Sequence, residues 1–338
     1  MKNFPKVDIS YKNLYNILMG QVRSKLLLTA IELKVFSCLA EAKPANEVAR
    51  LIGGDPGNTR FFLDGLAACG LLEKKNGLYK NSNEAEVFLV EGRDTYLGEF
   101  FMNNFHRFGQ FQELTGLIKE GPPPPSSRGD LGSEEMWARS ALYNANYERA
   151  GIAQYFAELI SQLPEFEGFR KMLDLGGGPG LIGMAIVDRH PSMKGVVFDQ
   201  SEVVKVSQTY IKEYEMGDRM EVMGGNYLTD SIGENYDLVL AMATLNVAKE
   251  NIDPVMKKIY DALNPGGVCV VVTDGLTHEM TRPEIMVLGW LPVAMLGWDV
   301  AFEQGFIADA MLRAGFRSVR GTTLDMAMGP IDMEVGRK

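Results

Sequence analysis

The chain has 338 residues, of which 46% are hydrophobic and 23% charged, a globular composition that excludes a disordered polymer. At a soft prior of about 150 residues per domain, it is long enough for two domains. With 34 basic against 44 acidic side chains the formal net charge is −10, a poor match to the phosphate field of nucleic acid or an anionic membrane surface.

Three cysteines, Cys38, Cys69 and Cys269, cannot all pair and follow no zinc spacing, so they are expected to be reduced core thiols of a cytoplasmic protein. Asp8, Tyr11 and Asn13 interrupt any signal-peptide pattern at the N-terminus. No apolar run reaches the ~20 residues that span a bilayer. The longest, Met286 to Leu296, carries Gly289 and Pro292. Nineteen methionines are an unexplained excess.

From Ser10 to about Leu39, apolar residues from Leu14 through Val22 and Ile31 to Phe36 recur at helical spacing. Two shorter helices follow, around Ala45–Leu51 and Asn58–Cys69, separated by the Gly53-Gly54 and Pro56-Gly57 turn. A hairpin then turns at Asn76-Gly77, because Asn-Gly accepts positive φ. This order is that of a winged helix. Its second short helix carries Phe61, Phe62 and Leu63, a face better suited to another protein chain than to a DNA groove. Val90 to Lys119 is expected to be helical and aromatic-rich, with Tyr96, Phe100, Phe101, Phe105, Phe108 and Phe111. It ends at the Pro/Gly/Ser loop 121–133, and helical pattern returns from Glu134 to Leu163. These breaks divide the chain into 1–90, a helical linking region 91–164, and 165–338.

Past Lys171 the pattern becomes short Val/Leu-rich strands alternating with helices, which implies a mostly parallel sheet covered on both faces. Asp174-Leu175-Gly176-Gly177-Gly178-Pro179-Gly180 joins the first strand to a helix. A dinucleotide fingerprint would read G-x-G-x-x-G there, and the carboxylate of Asp174 favours a cation over a phosphate. Asp199 closes the next strand at the spacing of a ribose-binding acid, and Gly225-Asn226-Tyr227 follows the third. Asn226 is suited to accept from an exocyclic amine, and Tyr227 to stack on a base. The three strand ends together point to S-adenosylmethionine, a positively charged adenosine ligand.

With "LDLGGGPG", "VVFDQSEVV", "MEVMGGNY", "YDLVLAMATLN" and "ALNPGGVCVVVTD", the chain resembles class I S-adenosylmethionine-dependent methyltransferases of the plant-type or hydroxyindole-type O-methyltransferase family over nearly its whole length. The resemblance implies an α/β fold: an N-terminal winged-helix dimerisation domain, and a Rossmann-like domain with an antiparallel last strand. It also implies a homodimer and a small, planar acceptor. The implied cofactor site is Asp174, Gly176, Gly178, Asp199, Gln200, Gly225, Asn226, Tyr227, Ala241 and Met242. Tyr143, Asn144 and Tyr147 match the family's pocket stretch, and Met286, Trp290 and Met295 are expected to join them around the acceptor. That last segment has the texture of the bacteriochlorophyllide carbon-methylating branch.

One position departs from the pattern. O-methylating relatives carry a His that deprotonates the acceptor, and Asn246 stands in its place. An amide cannot act as that base, and Asn246 is expected instead to position or polarise the acceptor. His278, just past a strand end, and His106, in the aromatic segment, are the remaining candidates, whereas His190 reads as a helix-end cap. Methyl transfer to carbon or nitrogen, or a catalytically silent cofactor-binding relative, are therefore alternatives to O-methylation. A DNA-binding regulator is disfavoured by the charge and the apolar helix. No metal is expected.

Overall fold

The first hundred residues of the computed structural model begin with α1 (Lys12–Glu32) and α2 (Val35–Cys38), followed by β1 (Lys43–Pro44), α3 (Ala45–Ile52) and α4 (Pro56–Ala68). The hairpin β2 (Leu72–Lys75) and β3 (Leu78–Asn81) and the short α5 (Asn83–Phe88) come next. The structure describes residues 3–108, 113–124, 126 and 133–338. Asp55 caps α4 by accepting from the Asn58 amide, with Pro56 fixing the first turn, an arrangement worth about 1 kcal/mol. Asn76 and Gly77 both take positive φ, 52° and 77°, which the two-residue hairpin requires. β1 adds to β3, so the sheet order is β1-β3-β2. Phe36, Leu39, Leu63, Leu66 and Tyr79 form the core. The apolar periodicity of α1 serves that core only at its C-terminal end: Leu28 and Ile31 are buried, while Leu14, Ile17, Leu18 and Val22 stay exposed.

The chain divides into two units, Met1–Met102 and Asn103–Lys338. Its helical middle comprises α6 (Gly98–Phe108), α7 (Leu114–Glu120), α8 (Glu134–Tyr147) and α9 (Ala153–Ser161). The expected long helix from Val90 therefore starts only at Gly98. Phe111, the side chain of Phe108 and most of loop 121–133 lie outside the described residues. Ala145 of α8 and Phe156, Ala157 and Ile160 of α9 share a core with Met172, Leu181 and Met184, whereas Phe101 and Met102 of α6 pack against the N-terminal core.

That sheet is built from β4 (Lys171–Leu175), α10 (Leu181–Arg189), β5 (Lys194–Asp199), α11 (Ser201–Glu213), β6 (Met220–Gly224) and β7 (Tyr236–Met242). There follow α12 (Ile252–Ala262), β8 (Leu263–Thr273), α13 (Glu284–Met295), α14 (Phe306–Ala314), β9 (Ser318–Leu324) and β10 (Ile331–Arg337). The strand order is β6-β5-β4-β7-β8-β10-β9. Parallel pairing runs from β6 to β8, and β10 is antiparallel to both of its neighbours. Strands buried on both faces need two cores. One lies under α9 and α10, and the other under α12 and α14. Of the cysteines only Cys269 is buried; Cys38 is half-buried and Cys69 exposed, so the expectation of three core thiols holds for one.

Candidate active site

The chain leaves β4 towards β5 on one side and later returns to β7 on the other. The strand order reverses between β4 and β7, and ligand crevices in such sheets open at the carboxyl ends flanking that point. Asp174, Asp199 and the Gly225-Asn226-Tyr227 turn stand at the ends of β4, β5 and β6. Asn246 and His278 follow β7 and β8.

The glycine loop folds back on its own strand ends. Asp199 Oδ2 accepts from the Gly178 amide at 2.8 Å and Oδ1 from the Gln200 amide at 2.7 Å. Each oxygen keeps a lone pair for a further donor. Burial raises the Asp199 carboxyl above its usual range. Gly176 has φ +65°, and a Cβ there would overlap the Thr244 hydroxyl, so only glycine lets the loop close against the end of β7. Gln200 Oε1 is buried with no hydrogen-bond partner. An orphaned acceptor beside the ribose acid fits an adenosine ligand that brings donors.

Asp174 is buried, and its Oδ2 accepts from the Gly183 amide at 3.2 Å. Gly180, the residue before α10, has no side chain to cap the helix. A residue absent from the sequence reading completes the cap: the carboxylate of Glu148 lies against the Leu181 and Ile182 amides. Glu148 begins a π-turn, Glu148–Ile152, in which Gly151 adopts φ +117°, the kind of helix irregularity found at functional sites. Three successive amides at the start of α10 thus face carboxylates of the chain itself. A bare helix N-terminus at this loop would take a phosphate. This one is already neutralised from within, which opposes a pyrophosphate and favours a cation. Burial, with the Asp199 charge nearby, pushes the Asp174 carboxyl up to about 7. Burial and the Asp174 charge raise the Glu148 carboxyl well above its usual range.

Asn226 is exposed, and its Oδ1 accepts from the Leu228 amide at 2.9 Å, ordering its own turn. Tyr227 is largely buried and donates to the Thr244 carbonyl at 2.7 Å, tying the β6 turn to the β7 end; burial pushes its phenol up to about 12. Lys258 donates to the carbonyls of Tyr227 and Asp230, fixing the turn from beneath. Gly225 accepts no substituent freely, because a Cβ would press on Phe198 and Asp230. Two of the expected cofactor residues pack into or against the cores. Ala241 is fully buried and its side chain packs the core under α12 and α14, so that side chain is closed to a ligand. Met242 is half-buried against the opposite core.

On the β7–β8 side, Asn246 is 5% exposed. Its Nδ2 donates to Asp274 Oδ1 at 2.7 Å and to the Val300 carbonyl at 2.8 Å, and its Oδ1 accepts from Thr273 Oγ1 at 3.2 Å. Asp274 Oδ2 also accepts from the Phe302 amide. Both amide protons are spent, so Asn246 clamps the 299–302 segment onto the ends of β7 and β8. His278 is exposed in three successive left-handed residues, His278, Glu279 and Met280, with its Nδ1 3.0 Å from Thr277 Oγ1. Such a run is costly for side chains other than glycine. His106 is exposed beside Phe105. His190 is buried, and its Nδ1 accepts from the Ser192 and Met193 amides. Tyr143, Asn144 and Tyr147 are half-buried along α8, and Met286, Trp290 and Met295 along α13. Burial pushes the Tyr147 phenol up to about 12.

A family model for an O-methyltransferase domain matches residues 138–295, and one for an O-methyltransferase dimerisation domain matches 15–91. The chain belongs to the O-methyltransferase family. It is an S-adenosylmethionine-dependent methyltransferase with a mixed α/β fold. The chain is 25% identical to the tetracenomycin polyketide synthesis 8-O-methyl transferase TcmO of Streptomyces glaucescens, with 96% of each chain covered. It is 25% identical to the N,N-dimethyltransferase OxyT of Streptomyces rimosus, with 94% of each covered. Human N-acetylserotonin methyltransferase, solved in complex with the cofactor, shares the fold at TM-score 0.78 and 21% identity, covering 99% of both chains. Among the described residues, no helix is long and apolar enough to cross a membrane.

Proposed function

We propose that this methyltransferase is a cytoplasmic homodimer that acts on a small or medium-sized, apolar, aromatic or macrocyclic acceptor without a side-chain base at the family's usual position. The observation that carries this reading is the clamp at Asn246. Both of its amide protons are engaged, and it has no site to take a proton.

S-adenosylmethionine supplies a sulfonium-bound methyl group open to in-line attack. Asp199 holds the ribose hydroxyls, Gln200 and the Gly225-Asn226-Tyr227 turn face the adenine, and the Gly176–Gly178 loop over Asp174 takes the methionyl end. What remains for the acceptor side is to exclude water and align a nucleophile, and orientation alone can supply several kcal/mol of the barrier. Tyr143, Asn144, Tyr147, Met286, Trp290 and Met295 are assigned to that task. Unbranched methionines suit an adaptable apolar wall. The exposed apolar stretch of α1 and the dimerisation match support self-association.

The nucleophile is then an acidic hydroxyl that ionises by itself, or a nitrogen or carbon. The names of the relatives span both O- and N-methylation. The test is a panel of planar aromatic acceptors of graded acidity, incubated with methyl-labelled cofactor. Rates that follow the acceptor's own ionisation, with Asn246→His extending O-methylation to weakly acidic phenols, support the reading. A pH profile set by an enzyme group and identical for all acceptors overturns it. Cofactor binding with no transfer to any acceptor, host-cell extract included, favours a silent relative.

A further inference from the structure

The buried carboxylates under the glycine loop have more negative charge than the fold needs to cap one helix. Glu148 is 7% exposed, its Oε2 has no hydrogen-bond partner, and the Asp174 charge acts on it to favour its neutral form. Both face the same turn of α10, Asp174 on the Gly183 amide and Glu148 on the two amides before it. Among the described residues, the ionisable groups around them offer no compensating cation. From β5 comes Asp199, a third carboxylate. From α8 and α11 come Tyr147 and Tyr210, two phenols. Arg149, next in sequence, turns away to Glu213 and Tyr214, with its guanidinium over the Tyr210 ring. Arg189 of α10 pairs with Glu158 of α9, and Asp188 meets Arg219. Two dry carboxylates set on one turn of a helix cannot both ionise cheaply.

We propose that Glu148 and Asp174 hold one proton between them in the free protein and release it to solvent when the ammonium of the cofactor's methionyl end is bound. The inference rests on the cofactor reading above. In that reading the strand order β6-β5-β4 lays out adenine, ribose and methionyl group in turn, so the methionyl end arrives over β4 and its Asp174. The balance is one for one: a carboxyl O–H is lost, the proton goes to buffer, and the ligand's positive charge takes its place beside the pair. Glu148 is thus a positioning residue for the cofactor's charged end, and cofactor affinity rises with pH through neutrality.

The experiment is calorimetry of the full chain with S-adenosylhomocysteine, which carries the ammonium but no sulfonium. It is run at pH 7 in phosphate and in Tris, which differ in heat of ionisation. Wild type is expected to give different apparent enthalpies in the two buffers, equivalent to release of up to about one proton. Glu148→Gln is expected to bind up to about tenfold more weakly and to lose most of the buffer dependence. Asp174→Asn is a second variant should the first misfold, with the same expectation. Tight wild-type binding with equal enthalpies in both buffers overturns the proposal, as does an undiminished proton release in both variants. Absence of any binding by wild type instead overturns the cofactor reading beneath it.

Discussion

The ends of β4 and β5 and the ends of β7 and β8 lie in one sheet and carry similar polar groups, yet they are wired in opposite ways. At β5 the Asp199 carboxylate is held by two backbone amides and retains acceptor capacity, and Gln200 beside it has a buried acceptor with no partner. At β7 the Asn246 amide has spent both protons on Asp274 and Val300, and Asp274 is further tied to Phe302. The first region is unfinished without a ligand that donates hydrogen bonds; the second is finished by the protein itself. A side chain held in place is available to a ligand only when its hydrogen-bonding capacity exceeds its internal partners, and that excess separates a binding group from a clamp.

The sharpest way to break this contrast is to remove the unfinished group. In Asp199→Ala two charge-assisted bonds to the ligand are lost, each worth about 1.5–3 kcal/mol. Affinity for S-adenosylhomocysteine measured by calorimetry is expected to fall by at least about 100-fold, since 1.4 kcal/mol is a factor of ten. Unchanged affinity would place the ribose elsewhere and erase the distinction between the two strand ends.

Asn246→Ala tests the other side. It strips a buried carboxylate of one donor and leaves the Val300 carbonyl unpaired, a loss of about 2–4 kcal/mol of folding stability. Denaturant unfolding should show that loss, while affinity for S-adenosylhomocysteine stays within about threefold, because the cofactor half makes no use of the clamp. The reverse pattern, with stability kept and cofactor affinity lost, would make Asn246 a ligand group.

The same contrast explains what could be read from the sequence. The parallel strands were legible because both faces are buried, giving unbroken apolar runs such as Leu238–Ala241 and Val268–Val272. The glycine loop and Asp199 were legible because their chemistry is local: turn, close approach and acid within one strand–helix unit. The substitution at position 246 was visible, but its partners Asp274 and Val300 are 28 and 54 residues away, and no local pattern reports such a network. Glu148 left no signal, since a lone acid on a half-exposed helix looks solvated and a π-turn has no spacing rule. On β10 the reading was blocked by chemistry. Asp332 and Glu334 are buried in mid-strand, with Asp332 held by Thr323 and Gln304, and two charged residues hide a strand from any hydropathy pattern. Along α1 the periodicity was real, but it marks a face left exposed in the single chain.

The smallest effect concerns the pair beneath the loop, which shares features of both regions: it caps a helix, as a clamp does, and keeps an unpartnered oxygen, as a ligand group does. Carboxyls near 4 in the unfolded chain are raised in the folded protein, Asp174 to about 7 and Glu148 in the same direction. Between those limits the folded state binds more protons than the unfolded one. Stability is therefore full below pH 4 as far as these groups are concerned, and it falls as pH rises through about 7. Glu148→Gln removes one raised carboxyl without changing its shape. Its stability should match wild type at about pH 3, where the carboxyl is neutral in both folded and unfolded chains, and exceed it at pH 8, where wild type bears the cost of a second buried charge, by about 1.4 kcal/mol for each unit by which burial raises the group. Urea unfolding across this range checks it. A variant that loses stability equally at both pH values would show that Glu148 serves α10 as a cap alone, and would move the pair wholly to the side of the clamp.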